Sequence, residues 1–139
     1  MTIVRSELFS RFPGLVFGMS TVEGGVSPGT FGMNLSFNVQ DVPSNVHENR
    51  RLFFSALGLT PDQAAFTRQQ HTSDILTVTI PGQYDTCDAL VSDRPGVFLA
   101  ISIADCTPVM LFDPVRRAAA GGHAGWRGTA AGIVEKSIR

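Results

Sequence analysis

The sequence predicts one domain that mixes helices with β-strands, and three observations carry that prediction. A single stretch of helical apolar spacing is followed by a series of short apolar, β-branched runs. The chain has 139 residues, 43% of them hydrophobic and 17% charged, enough to bury one core of ordinary size. No internal repeat, low-complexity tract or linker divides it.

In chain order, "GLVFGMST" reads as a short strand that enters the glycine-rich loop "EGGVSPGTFG". From Asn45 to Leu57 the pattern is helical: Val46, Arg50, Phe53 and Leu57 share a stripe, with Phe54 beside it. Asn45, with Glu48 three residues on, fits a capping box after a loop that holds Pro43, and Gly58 supplies the stop. "AAFTRQQ", "DILTVTI", "VFLAISIA" and "PVMLFD" then read as strands, the third apolar enough to be covered on both faces. "RAAAGG" reads as another short strand. "GTAAGIVEKSIR" returns to helical spacing at Ala130, Ala131, Val134 and Ile138. No stop signal follows, so residues 1–139 are expected to form a single domain that is incomplete at its C-terminus.

Composition narrows the function. The formal net charge is −1 and no basic block or stripe is present, which argues against a nucleic-acid partner. Arg5, Glu7 and Arg11 interrupt the apolar N-terminal segment, so neither a signal peptide nor a membrane span of about 20 residues is expected. Two cysteines, Cys87 and Cys106, are too few for a disulfide framework. A cytoplasmic protein with free thiols and no membrane partner follows as the expectation.

Three residues stand out chemically. His71 lies in "RQQHTSD", Cys106 in "IADCTP", where Pro108 is expected to end the strand's pairing, and His123 in "GGHAGWRG". Each falls at a strand end or in the turn after one, where an α/β scaffold holds loop residues rigidly. Two imidazoles and a thiolate match the three-protein-ligand set of catalytic zinc, which keeps a fourth position for water or substrate. Their spacing fits no short zinc-finger pattern, and a histidine satisfied inside a core is the ordinary alternative for each. Gly121, Gly122, Gly125 and Gly128 let backbone approach a ligand closely. A helix opening near Gly125, with Arg127 in its first turn, would suit an anion, and Trp126 would stack on a ring or seal a pocket. A tight turn with a packing tryptophan explains the same letters. Cys87 reads as structural, His47 as a surface residue, and Asp105 as either a strand end or a group that orients a ligand.

"ADCTPVMLFDP" followed by "GGHAGWRGTAAGIV" closely resembles the signature of the YfiH family, known as multicopper polyphenol oxidoreductase (laccase), peptidoglycan editing factor or purine nucleoside phosphorylase. "STVEGGVSPGTFGMNLSFNVQD", "VHENRRLFFSALGL", "RQQHTSDILTV" and "CDALVSDRPGVFLAISIADC" fit in the same order, so the resemblance covers nearly the whole chain. It implies an α+β fold of mixed β-sheets flanked by helices, layered α/β/β/α and here truncated, since family members run considerably longer. It makes His71, Cys106 and His123 the metal-binding and catalytic triplet and Arg127 a substrate contact. Val22 stands where the family usually has an arginine, which removes one possible anion contact.

The implied activity is zinc-dependent phosphorolysis of purine nucleosides, with phosphate as second substrate and adenosine deamination as a related capability. A metal-free Cys–His hydrolase acting in peptidoglycan editing is the first alternative. The second is copper (Cu2+) oxidation of phenols, although three histidines are too few for a multicopper centre, and Met110, the available axial ligand, reads as core filler. With part of the pocket wall missing, weak turnover despite a whole metal site is expected. The substrate is a small molecule in each case, and the sequence leaves the oligomeric state open.

Overall fold

The computed structural model describes residues 1–138, so Arg139, the last residue of the expected C-terminal helix, lies outside the described residues. Two compact units emerge, Met1–Pro61 and a second beginning at Asp62. The fold is α+β in character, with small sheets and few helices.

In the first unit, β1 (Ile3–Val4) pairs antiparallel with β2 (Met19–Ser20). The strand expected across "GLVFGMST" therefore shrinks to two residues, and its partner β1 carried no sequence signal. Helix α1 spans Pro43–Ala56. It starts two residues earlier than expected, with Val42 at the cap, and no side chain caps it. Proline is at home in a first turn, where its missing N–H is not needed. Glu48, expected to complete a capping box with Asn45, instead pairs with Arg51 at 2.7 Å. The stop at Gly58 is as expected: it takes φ 75°, its N–H bonds Ser55 O at 2.9 Å, and Leu59 N–H reaches back to Phe54 O at 2.9 Å.

Val46, Phe53 and Phe54 are buried as the apolar stripe predicts, but Asn49 beside them is completely buried too. Its amide ties down the glycine-rich loop. The two hydrogens of Nδ2 are shared among Ser27 Oγ (2.9 Å), Gly32 O (3.1 Å) and Asn34 O (2.9 Å), while Oδ1 accepts from Val26 N–H (2.8 Å). Asp41 extends the network, accepting from Ser27 Oγ at 2.6 Å and Asn34 Nδ2 at 2.9 Å. Every polar group of the amide is satisfied, as a buried polar side chain requires.

The second unit holds two sheets. β5 (Gly82–Asp85), β3 (Ala64–Arg68) and β7 (Phe98–Ala100) form a parallel sheet in that order. A mixed sheet runs β4 (Ile75–Thr77), β6 (Ala89–Ser92), β9 (Ala118–Ala124) and β8 (Thr107–Asp113). β4 and β6 are parallel, and β9 is antiparallel to both β6 and β8. Ala65, Val78, Cys87 and Leu90 form the core, with Tyr84, Val97 and Leu99 packed on it. Cys87 is thus structural.

Two expectations change here. "VFLAISIA" was read as a strand covered on both faces, yet only Phe98–Ala100 pairs, at a sheet edge, and those residues are half-buried. Pro108 does not end the pairing. It sits inside β8 opposite His123, where an edge strand tolerates the missing N–H. After β9 the chain forms α2 (Trp126–Ala130) and α3 (Ile133–Lys136), separated by Gly132 at φ 80° rather than running as one helix. No helix among the described residues is long and apolar enough to cross a membrane.

Candidate functional site

β4, β6 and β8 run one way and β9 the other, so the starts of three strands and the end of the fourth meet at one edge of the mixed sheet. That edge collects the chemistry. Cys106 immediately precedes β8, His123 lies one residue from the end of β9, and His71 sits in the loop leading to β4. One ligand atom of each lies within 4.8 Å of the other two, and the imidazoles meet edge-on with centroids 4.8 Å apart.

Two devices draw these segments together. The Gln69 side chain donates to Ser102 O at 2.6 Å and accepts from Ser102 N–H at 2.8 Å, lashing the His71 loop to the Cys106 loop. Asp88, just before β6 and completely buried, is the other. Its carboxylate accepts from the backbone N–H groups of Gln70 (3.0 Å), His71 (2.9 Å) and Thr72 (2.9 Å) and from Thr72 Oγ1 (3.0 Å). It also lies 2.8 Å from His123 Nδ1, and its own carbonyl accepts from His123 N–H at 2.7 Å. His71 adopts φ 61°, a left-handed conformation rare outside glycine, and its N–H is one of the three that Asp88 collects. Sequence reasoning offered Asp105 as an orienting group or a strand end, and Asp105 does hydrogen-bond the Cys106 thiol, but it passed over Asp88. The only available sign was an acidic residue just before the apolar "ALV", where burial would oblige it to find donors.

Burial raises the Asp88 carboxyl's affinity for a proton, but the bonds from His123, Thr72 and Gln70 outweigh it and hold the group below its ordinary value. Cys106 moves the other way. Burial first, then the charge and hydrogen bond of Asp105 and the charge of Asp88, push the thiol up.

Gly125 is the floor of the cluster. A Cβ there would lie 3.0 Å from His71 Cδ2, which would have to give by a few tenths of an ångström, and at ordinary contact distance from Cys106 Sγ (3.4 Å) and His123 Cε1 (3.7 Å). Gly128 approaches the Thr72 carbonyl, which a Cβ would meet at 2.6 Å. The remaining candidates lie outside the cluster. Trp126 is 76% exposed, and the Arg127 guanidinium rests over its ring at 5.2 Å. Trp126 therefore presents a face and seals nothing within the described residues. The anion-binding helix N-terminus expected here is weak, because α2 has five residues and little dipole to offer. Met110 pairs with Gly121, whose added Cβ would touch its sulfur at 3.3 Å along with Ile101 and Leu99. That is the packing role read from the sequence. His47 is exposed and meets the Phe37 ring at a tilt, with centroids 4.9 Å apart.

The donor set fits a metal. Two imidazole nitrogens and one sulfur suit zinc or copper, and bonds of about 2.0–2.3 Å would need separations of about 3.5 Å, a modest tightening.

The sequence of residues 16–139 matches the family described as multi-copper polyphenol oxidoreductase laccase. A purine nucleoside phosphorylase of Deinococcus radiodurans is 40% identical over 120 residues, covering 86% of this chain and 47% of that protein. The Escherichia coli purine nucleoside phosphorylase YfiH is 38% identical over 121 residues, 86% of this chain and 49% of its own. Among solved structures, YlmD from Geobacillus stearothermophilus superposes with TM-score 0.88 at 34% identity, over 91% of this chain and 51% of that one. A Bacillus licheniformis protein described as hypothetical protein YfiH gives 0.83 at 34% identity, over 87% and 49%. The chain spans about half the length of the relatives it matches.

Proposed function

The chain belongs to the multi-copper polyphenol oxidoreductase laccase family, and on that premise we propose that it carries the metal site of a zinc-dependent purine nucleoside phosphorylase. The observation that carries this reading is the convergence of His71, Cys106 and His123 within 4.8 Å. The names of the relatives from Deinococcus and Escherichia supply the substrate class. In phosphorolysis a phosphate oxygen bonds to the sugar's anomeric carbon as the bond to the purine nitrogen breaks. The base leaves with that electron pair and takes up a proton.

His71, Cys106 and His123 would hold the zinc, and when bound it supplies a Lewis acid for an oxygen of water or substrate. The chain's own residues do the rest. Asp88 and Gln69 fix the donor loops, and Gly125 brings its backbone close against the three donor side chains. Arg127 offers a cation for phosphate, and Trp126 a flat exposed face for a purine. Hydrolytic deamination of adenosine is the companion activity this site would support.

A metal-free Cys–His hydrolase has one observation in its favour: Asp88, His123 and Cys106 stand in the order of a catalytic triad. The raised thiol pKa counts against it, because a nucleophilic cysteine needs its thiolate made easier to form. Copper oxidation loses its axial ligand, with Met110 packed over Gly121.

The test is elemental analysis of protein purified without added metal, followed by inosine and adenosine assayed with and without phosphate. Zinc near one equivalent with phosphate-dependent base release is expected. Base release without metal, or peptide hydrolysis in its place, would overturn the proposal.

A further inference from the structure

Asp88 touches both histidines of the cluster, and the way it does so dictates which atom each can offer. Four of the five donors on its carboxylate are fixed. Three are backbone N–H groups, from Gln70, His71 and Thr72. The fourth is the Thr72 hydroxyl, which accepts from Asp74 N–H at 3.2 Å and so must turn its own hydrogen toward Asp88 at 3.0 Å. The carboxylate is thereby filled with incoming protons and has none to give. Oδ1 serves His71 N–H and His123 Nδ1 together, at 2.9 and 2.8 Å. The fifth contact is therefore a donation from His123 Nδ1–H.

We infer that Asp88 is a positioning residue that locks the neutral His123 ring in its Nδ1–H tautomer and, through the same oxygen, sets the backbone from which His71 projects. With Nδ1 protonated and engaged, Nε2 is the lone pair left to a metal. One buried carboxylate thus sets two of the three donors, which no residue of the cluster could do for itself. This deepens the metal-site reading proposed above and rests on it for its consequence, though not for the tautomer.

The experiment is nitrogen NMR of the histidine rings in the metal-free, folded wild-type chain, at a pH where the rings are neutral. The chain has three histidines. His47→Gln and His71→Gln, both at exposed positions, assign the His123 signals by elimination. A pyrrole-type Nδ1 and a pyridine-type Nε2 on His123 are expected, with no second tautomer. In Asp88→Asn the tautomers should mix and zinc affinity should fall about 10–100-fold, the usual cost of losing an outer partner of a ligating histidine. An Nε2–H tautomer or a mixture in the wild type overturns the inference. So does a folded Asp88→Asn that keeps zinc affinity within about twofold. If the variant does not fold, the wild-type spectrum decides. The expected tautomer in a chain without phosphorolysis would sink the reaction and leave this inference standing, and the wrong tautomer in an active chain would do the reverse.

Discussion

Asn49 in the first unit and Asp88 in the second are both completely buried polar side chains, and both organise a loop by collecting backbone groups. They differ in what they leave over. The amide of Asn49 spends its donors and its acceptor on the glycine-rich loop, and that network closes on itself. Asp88 also fills its oxygens, but two of its partners are histidines whose other ends point at each other and at a thiol. A closed polar network holds a shape. One whose outer members still carry lone pairs, gathered within a few ångströms, is a place for a ligand.

The largest effect should come from the open network. Cys106→Ala is expected to drop bound zinc from near one equivalent to none and to abolish any turnover, while leaving the fold intact. Cys87→Ala should cost some core stability and keep the metal. Metal content by elemental analysis, beside thermal melts, checks both, and full metal retention in Cys106→Ala would make the thiol a packing residue. Next, Asn49→Ala strips partners from buried backbone groups and should destabilise the first unit by about 3 kcal/mol. Zinc content should not change, and denaturant melts read alongside metal analysis test that separation.

Gly125→Ala should weaken zinc binding about tenfold, or 1.4 kcal/mol, because the new Cβ presses on the His71 ring. Competition with a chelator reads this directly, and an unchanged affinity would mean that the loops yield freely. The smallest effect is a pH dependence in the closed network. Bonds from Ser27 and Asn34 hold the Asp41 carboxyl below its ordinary value against the opposing effect of burial, with Val42 and Asn45 adding to them. A depressed carboxylate stabilises the fold fully above its unfolded pKa, about 3.9, and loses that contribution as pH falls through the lower folded value. Hydrogen-exchange protection in residues 22–41, corrected for the intrinsic rate, should therefore fall below about pH 4, and Asp41→Asn should remove that step.

His71, Cys106 and His123 were legible because their chemistry is scarce in this sequence and each falls beside an apolar run. The stop at Gly58 was legible because its geometry is local. Asp88 was not, because its role depends on three N–H groups from a segment far along the chain. Asn49 hid in the helical stripe, where an asparagine usually marks the solvent face and only tertiary contact shows otherwise. The short strands β1 and β5 have too few apolar residues to announce themselves, and Pro108 misled because its tolerance depends on β8 being an edge. The length of the helix that opens at Trp126 was not legible, because periodicity alone did not show that Gly132 breaks the pattern.

The left-handed backbone at His71 places stability and chemistry in opposition at a single position. Glycine adopts that conformation freely and asparagine does so more readily than most residues, whereas histidine gives up on the order of 1 kcal/mol to hold it. A laboratory selection for heat resistance alone would therefore favour His71→Gly or His71→Asn and gain a tougher protein without its third donor. The persistence of histidine at this strained position under such selection, with metal in the medium, would measure how much the bound ion returns to the fold.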